Sequence, residues 1–376
     1  MSASQPYDDV NVTAWDDIRR EFEESLLTIK EPTTLALIVI YTLLFVMSLV
    51  GNVSVCVVVW RNHYMRKAKN YFLMNLSLAD LLVTLICVPI ILGSTLYRKW
   101  VYGVAMCKLA WFFQGVAVAA SILSLTALSL DRYLAVKHPE LFRRISNHKN
   151  GIKLLGLIWL VSAIFMMPLL YVRRVFEESL PEFGIQISFC VESWSSEASK
   201  QAFAIFMLIV VYSAPCSVIV YCHYVVCSTL SATTNVSRQD SDTSGGCGNK
   251  VSRRSIARML IALVTCFVVC WLPYNICSLW FDLQQTSLGV QVLPFTLLLA
   301  HANSACNPIL FWLLNNHFRN GINGIICCGG SSIYSPKHAN ATNMRSPPRI
   351  VIHHAPSIRT RDTNRRTKPL IPANAV

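Results

Sequence analysis

The sequence predicts an all-α membrane protein: a seven-transmembrane helix bundle with a short amphipathic eighth helix. Three observations support this prediction. Hydrophobic residues make up 53% of the 376 residues, and charged residues make up only 14%, whereas about 25% is usual for soluble proteins. The apolar residues also fall into seven runs, each reaching the ~20 residues needed to cross ~30 Å of hydrocarbon. This composition argues against a soluble globular enzyme and against a disordered chain.

The predicted spans define the organisation of the chain. They cover residues 33–60, 70–93, 105–136, 152–172, 201–227, 254–280 and 289–314. An extracellular acidic segment (1–32) precedes the bundle (33–314), and a membrane-surface helix (315–328) and a disordered cytoplasmic tail (329–376) follow it. Within the loop at 228–253, the stretch from Ser231 through Gly248 is predicted from its composition to be a Ser/Thr/Gly linker.

The distribution of charge predicts the orientation. Lysine and arginine concentrate in the 61–69, 137–153 and 228–253 loops and in the tail, which is typical of cytoplasmic segments. Residues 1–31 carry eight acids and three bases, whereas the chain from Arg319 onward carries nine bases and one acid. The net charge of +13 is therefore segregated across a membrane and does not indicate nucleic-acid binding. We expect a multi-pass plasma-membrane protein with an extracellular N-terminus and a cytoplasmic C-terminus.

The segment before the first span has two interpretations. Hydrophobic side chains recur every three or four residues between positions 14 and 30, and so share one helical face; they are Trp15, Ile18, Phe22, Leu26 and Ile29. This pattern predicts either a helix lying over the extracellular mouth or a solvated acidic tail. Asn11 begins an N-glycosylation sequon on the predicted outer side.

The residues after the last span predict a short helix along the inner leaflet. Phe318, Ile322, Ile325 and Ile326 lie on one face of this segment, which suits contact with membrane lipids. Cys327 and Cys328 follow it and are candidates for palmitoylation.

Several polar side chains occur inside the predicted spans, where an amide or a charge is costly. They are Asn52, Asp80, Ser124, Asn303, Ser304 and Asn307. One interpretation is a set of structural hydrogen bonds between helices. The other is a cluster of water and a sodium ion centred on Asp80, which would be the only cofactor of the protein.

Prolines and one charged triplet mark candidate moving parts. Pro273, two residues after Trp271, kinks the sixth span, and Pro308 does the same in the seventh. Arg132, at the cytoplasmic end of the third span, is well placed to pair with Asp131. The residues assigned to activation are Asp131, Arg132, Tyr133, Phe267, Trp271, Pro273, Asn307, Pro308 and Phe311.

Cys107 and Cys190 both lie on the predicted outer side. Because that compartment is oxidising, a disulfide between them is favoured. It would tie the 173–200 loop over the mouth of the bundle.

Sets of motifs, one set per span, together resemble those of a rhodopsin-like (class A) G-protein-coupled receptor over residues 33–328. The motifs are Gly51-Asn52, Asn75-Leu-Ser-Leu-Ala-Asp80, Cys107, Asp131-Arg132-Tyr133, Trp159, Pro215, Cys270-Trp271-Leu-Pro273 and Asn307-Pro308. The resemblance implies coupling to a heterotrimeric G protein, through outward movement of the sixth helix about Pro273 that frees Arg132. Ser and Thr residues in the cytoplasmic segments are candidate sites for receptor kinases and arrestin.

Within that family, two stretches are similar to orexin receptors and their allatotropin-receptor relatives. They are Val58 through Asp80 and Cys190-Val-Glu-Ser-Trp194. The resemblance implies an orexin- or allatotropin-like neuropeptide. The sequence also departs from this pattern, because Ser278 and Leu297 stand where orexin receptors carry a pocket asparagine and histidine. His223 and Phe311 stand where the wider family carries tyrosines.

The residues themselves narrow the class of ligand. No lysine in 289–314 can carry retinal, and Gln114 replaces the carboxylate that an amine receptor needs in the third span. Gln114 can both donate and accept hydrogen bonds, which suits an amidated peptide C-terminus. Acidic residues of the outer loop, including Glu192, favour a peptide. The remaining candidate ligand contacts are Trp111, Met207, Tyr274, Asn275, Ser278, Leu297 and His301.

Other classes stay open as alternatives. A non-peptide neutral or lipid ligand would fit the same fold. A transporter would show repeated halves with broken helices, and no convincing repeat is present. An enzyme would need a nucleophile–base pair or a metal centre, and none is evident. We therefore predict a receptor rather than an enzyme.

Overall fold

The structure is a computed structural model that describes residues 17, 19–62, 68–180, 185–239, 247–284 and 287–327. The chain forms two compact units, Met1–Ile333 and Tyr334–Val376, as judged by the contacts within each. The second unit, which contains most of the predicted cytoplasmic tail, lies outside the described residues. So do Asn11 and Cys328, the predicted sites of glycosylation and palmitoylation.

Seven helices in the described part of the chain are long and apolar enough to cross a membrane, which confirms the predicted bundle. We call them spans one to seven; they are Pro32–Arg61, Asn70–Leu96, Gly103–Lys137, His148–Val172, Glu197–Thr229, Ala257–Gln284 and Gln291–Leu314. Each helix satisfies its own backbone hydrogen bonds, as a segment surrounded by hydrocarbon must.

Spans two and five each contain a wide π turn, at Val83–Cys87 and Met207–Ser213. The helical segments in chain order are Thr28–Lys30 (3₁₀), Pro32–Arg61, Ala68–Leu82, Val83–Cys87 (π), Val88–Leu96, Gly103–Lys137, Pro139–Ile145, His148–Val172, Glu197–Phe206, Met207–Ser213 (π), Ala214–Gln239, Cys247–Gln284, Ser287–Leu314 and Asn316–Cys327. The last of these agrees with the predicted membrane-surface helix.

The core lies along the bundle axis, whereas many large hydrophobic side chains on the outer surface stay exposed. One continuous cluster joins all seven spans, and it includes the buried rings of Phe267, Trp271 and Phe311. An apolar exterior around a packed interior is the arrangement expected of helices in lipid.

An antiparallel hairpin covers the outer end and was not predicted. Its strands are β1 (Arg173–Leu180) and β2 (Ile185–Glu192), paired from Arg173 opposite Glu192 to Leu180 opposite Ile185. Apolar residues alternate along β2, which is the period of a strand. A disulfide joins Cys190 of β2 to Cys107 of span three, with the Cα atoms 5.6 Å apart.

The segment before span one packs against the hairpin. Residues 19–25 are helical, and Phe22 and Leu26 contact Ile185 and Ile187 of β2. These contacts favour the interpretation as a helix lying over the mouth of the bundle rather than as a solvated acidic tail. However, Ile29 is 53% exposed because a 3₁₀ turn at Thr28–Lys30 breaks the helical period. Trp15 and Ile18 lie outside the described residues.

The linker predicted from Ser231 through Gly248 is wrong over the part that the structure describes; residues 240–246 lie outside the described residues. The helix of span five continues to Gln239, and the helix of span six begins at Cys247. Serine and threonine have modest helix propensity and do not break a helix as proline does. The prediction from composition therefore underestimated the length of these two helices.

Span one approaches span seven closely at Gly51. A Cβ atom on Gly51 would lie 2.5 Å from Cγ and 2.8 Å from Cβ of Pro308. Because this ring cannot swing away, we expect Gly51→Ala to destabilise the protein by about 1–3 kcal/mol. Thermal unfolding of the purified protein measures the effect.

Gly156→Ala is the matched control for that substitution. No atom lies within 4 Å of the position that its Cβ would occupy. The alanine should therefore stabilise the helix by up to about 1 kcal/mol. Equal unfolding temperatures for the two variants would contradict the close packing of spans one and seven.

Candidate functional site

A cavity, which we call the main cavity, opens between spans three, five and six beneath the hairpin. It encloses about 1030 Å³, including its opening to solvent. Seven of the nine predicted ligand-contact residues line it: Trp111, Gln114, Glu192, Met207, Tyr274, Asn275 and Ser278.

Two predicted ligand contacts lie elsewhere. Leu297 packs with Leu37 and Tyr41 of span one. The Nδ1 atom of His301 lies 3.3 Å from the hydroxyl of Tyr41. Both side chains point from span seven toward span one, so neither lines the main cavity.

Stacked aromatic rings form the floor of the main cavity. The ring of Tyr212 stacks on that of Phe267, with centroids 6.3 Å apart, and Phe267 stacks on Trp271 at 6.1 Å. Trp271 in turn meets Tyr274 edge-on at 6.0 Å. This stack connects the cavity to the core of the bundle. A shift of a ligand against Tyr274 would therefore act directly on span six.

Charged side chains form the roof of the main cavity, and most of them were missed from the sequence. Arg173 pairs with Glu192 and stacks on the ring of Trp111, at 4.1 Å from its centroid. Lys200 Nζ lies 3.1 Å from Asp282 Oδ1. Burial lowers the pKa of the Arg173 guanidinium, while the Glu192 carboxylate opposes that shift.

The sequence contained one overlooked signal for this roof. Arg173 and Arg174 were exceptions to the expected scarcity of bases on the outer side, and an exception at the end of a span suggests a polar site. Lys200 and Asp282 are 82 residues apart in the sequence, and nothing in their spacing indicated that they meet.

The polar residues of the bundle interior come together only in part. Asn307 donates to Asp80 Oδ2 at 2.8 Å, and Asn52 donates to the Ser304 carbonyl at 3.0 Å. Ser124 does not join them, because it accepts a hydrogen bond from Asn75 at 2.8 Å.

A cation at these residues would need side-chain oxygen atoms that do not already accept a hydrogen bond. The side-chain oxygens of Asn52 and Asn303 are buried and lack a hydrogen-bond partner among the described residues. Together with the Asp80 carboxylate they are oxygen donors of the type that hard cations prefer. The donor set therefore fits a sodium ion, and the role itself stays a prediction.

The end of the bundle that is predicted to be cytoplasmic holds the predicted pair of Asp131 and Arg132. The Arg132 Nε atom is buried and has no hydrogen-bond partner in the described part of the chain. Tyr133 lies against Tyr221, with ring centroids 6.2 Å apart. Arg132 is therefore held by its neighbour in this structure.

The two departures from the family pattern have their own contacts. His223 Nε2 lies 3.3 Å from the hydroxyl of Ser129 in span three. Phe311 is buried and meets Phe318 edge-on at 6.2 Å. A histidine-to-serine contact and an aromatic contact therefore occupy the positions of the usual tyrosines.

Comparison with known proteins gives three results. Residues 51–311 match the family described as 7 transmembrane receptor (rhodopsin family). A QRFP-like peptide receptor of Branchiostoma floridae is 30% identical over 319 residues, which cover 82% of each chain. Neuropeptide FF receptor 2 of Rattus norvegicus is 30% identical over 294 residues, which cover 75% of this chain and 70% of that one.

Proposed function

The chain belongs to the rhodopsin family of seven-transmembrane receptors, and we propose that it is a plasma-membrane receptor for an extracellular neuropeptide that activates a heterotrimeric G protein. Members of this family are receptors rather than enzymes. Both similar proteins are named as receptors for peptides. The observation that carries the proposal is the main cavity, with Gln114 in its wall and charged groups in its roof.

We propose that the ligand is C-terminally amidated. The Gln114 side chain is 7% exposed and offers both a donor and an acceptor to a neutral amide. The orexin- and allatotropin-like stretches of the sequence suggest one ligand group, and the names of the two similar proteins suggest another. Peptides of both groups therefore belong in the test.

The proposed mechanism is a shift between two existing arrangements of the bundle. A ligand above Trp271 favours the arrangement in which span six swings outward about Pro273. That movement separates the cytoplasmic ends of spans three and six, frees Arg132 from Asp131, and opens a cleft for the G protein. Receptor kinases and arrestin are further proposed partners on the same side.

The orientation of the chain, its covalent modifications and a bound ion are also proposals. We propose an extracellular N-terminus glycosylated at Asn11, a cytoplasmic C-terminus, and palmitoylation of Cys327 and Cys328. A sodium ion near Asp80 would stabilise one arrangement of the bundle.

The test is a G-protein dissociation assay in cells that express the chain, with a panel of amidated neuropeptides that includes orexin-, allatotropin-, QRFP- and neuropeptide FF-like sequences. We expect a saturable response. Because Gln114→Ala removes the partner of a buried amide, it should cost about 1–3 kcal/mol and raise the half-maximal concentration about 5- to 150-fold.

Gln186→Ala is the matched control, since Gln186 is exposed on β2 and does not line the main cavity. It should leave the response unchanged at equal surface expression. Equal responses of Gln114→Ala and the unmodified protein would refute the role of Gln114. If no peptide of the panel produces a response while the protein is at the cell surface, a non-peptide neutral or lipid ligand would be favoured.

A further inference from the structure

A second cavity, which we call the side cavity, lies between spans two and three beneath the first outer loop and β2. It encloses about 900 Å³, including its opening to solvent. Cys87, Ile90, Ile91 and Ala110 give it an apolar floor. None of the residues predicted from the sequence to activate the protein lines it.

Hydrogen bonds fix the loop that walls the side cavity. Tyr97 forms an isolated antiparallel bridge with Leu27, and the Arg98 amide donates to the Leu26 carbonyl at 2.9 Å. The Trp100 amide donates at 2.6 Å to a carbonyl of β2. The loop is therefore held between the N-terminal segment and the hairpin, so the cavity is preformed.

The rim of the side cavity is positively charged. Arg98 is neutralised by Glu31, but Lys99 makes no ion pair or hydrogen bond with any residue that the structure describes. None of the acidic residues that the structure describes lines the cavity. The chemistry that fits is an apolar group next to an anion.

The two cavities adjoin each other. Trp111 and Gln114 line both of them. A ligand that contacts Gln114 therefore lies next to the side cavity.

We infer that the side cavity binds an apolar residue and an adjacent carboxylate-bearing residue of the same neuropeptide whose amidated end contacts Gln114. The inference rests on the proposed function, which it deepens by giving the peptide a second point of recognition. Lys99 is the group that pairs with the carboxylate, and the floor of the cavity takes the apolar side chain.

The first arm of the test measures charge preference without any peptide. Ser94 lines the side cavity, so Ser94→Cys introduces a reactive thiol there. The measured quantity is the ratio of its labelling rate with an anionic methanethiosulfonate to that with a cationic one. This ratio is divided by the same ratio for Ser195→Cys on the exposed outer surface. The unmodified protein supplies the background from its own thiols.

We expect Lys99→Gln to lower the anionic-to-cationic ratio about fivefold at Ser94→Cys, because a unit charge about 8 Å away in water changes the anionic and the cationic rate about 2.4-fold each in opposite directions. Lys108→Gln is the matched control, because Lys108 lies in span three and does not line the cavity; it should leave the ratio unchanged. A ratio that does not respond to Lys99→Gln overturns the assignment of an anion-binding site.

The second arm measures occupancy. Activating amidated peptides of the panel should slow labelling at Ser94→Cys, and analogues with each acid replaced by its amide should identify the carboxylate. Activation without slower labelling overturns the inference and leaves the proposed function standing. Slower labelling by oleate but by no peptide assigns the cavity to a lipid anion and overturns the peptide assignment. Silence of every peptide in the signalling assay, with labelling unaffected by all of them, overturns both.

Discussion

Glu192→Gln is expected to lower both the stability of the protein and its response to peptide, because it leaves Arg173 without its counter-charge. The Arg173 side chain is 13% exposed, and that of Glu192 is 28% exposed. Breaking a fully buried pair costs about 3–5 kcal/mol, and the partial exposure of Glu192 reduces this to about 2–3 kcal/mol. The Arg173 Nε atom already lacks a partner within the described residues. The charge of Asp282 also acts on Arg173, but Asp282 is paired with Lys200, so it replaces the lost carboxylate only in part.

Thermal unfolding of the purified receptor measures this effect, followed by a thiol-reactive dye that reports exposure of the buried cysteines. Glu23→Gln is the matched control, since Glu23 pairs with Arg19 at a position where both side chains are more than half exposed. It should change the unfolding temperature little.

A double variant separates charge pairing from other effects. Arg173→Gln combined with Glu192→Gln removes both charges, so its loss should be smaller than the sum of the two single losses. Additive losses would show that the two side chains act independently, contrary to the contact between them.

Loss of the disulfide is the second change with a large expected effect. Cys107→Ser frees β2 from span three and opens a covalent loop of 83 residues. We expect a loss of about 2–4 kcal/mol, less than the full loop entropy, because the intervening spans stay confined by the membrane. Surface expression should fall, and the remaining receptors should respond only to much higher peptide concentrations, since β2 walls both cavities.

Cys277→Ser provides the control, because Cys277 is a free cysteine on the outer half of span six. It should behave like the unmodified protein. Cys107→Ser with Cys190→Ser should match either single variant, since all three lack the same bond. Normal stability of the Cys107→Ser protein would contradict this account.

The bundle could be predicted from the sequence because lipid imposes strong rules on length and composition. Seven apolar runs fixed the spans to within a few residues, and Cys107 with Cys190 followed from the predicted topology. Alternation along Ile185, Ile187 and Phe189 was present in the sequence but lay in a charged loop, where hydropathy gives little guidance.

The site was predicted less completely than the fold. Motif positions found Gln114 and the Asp131–Arg132 pair, because each lies on one helix. Contacts between distant segments escaped prediction: Lys200 with Asp282, Arg173 on Trp111, and the direction of His301 toward Tyr41. Leu297 was assigned to the pocket by its position in the family pattern, and His301 as a further candidate contact. The rotation of span seven decides where both side chains point.

The π turn at Met207–Ser213 has a consequence for comparing this chain with its relatives. A π turn accommodates one more residue than an α turn, so it rotates the rest of the helix by about 100° relative to an uninterrupted one. A relative without this turn presents a different residue at the same depth of span five. Gap-free alignment through this stretch would then equate a cavity-facing side chain with a lipid-facing one. Ligand preference is therefore best transferred between such proteins by depth along the helix axis, with a one-residue gap inside the turn.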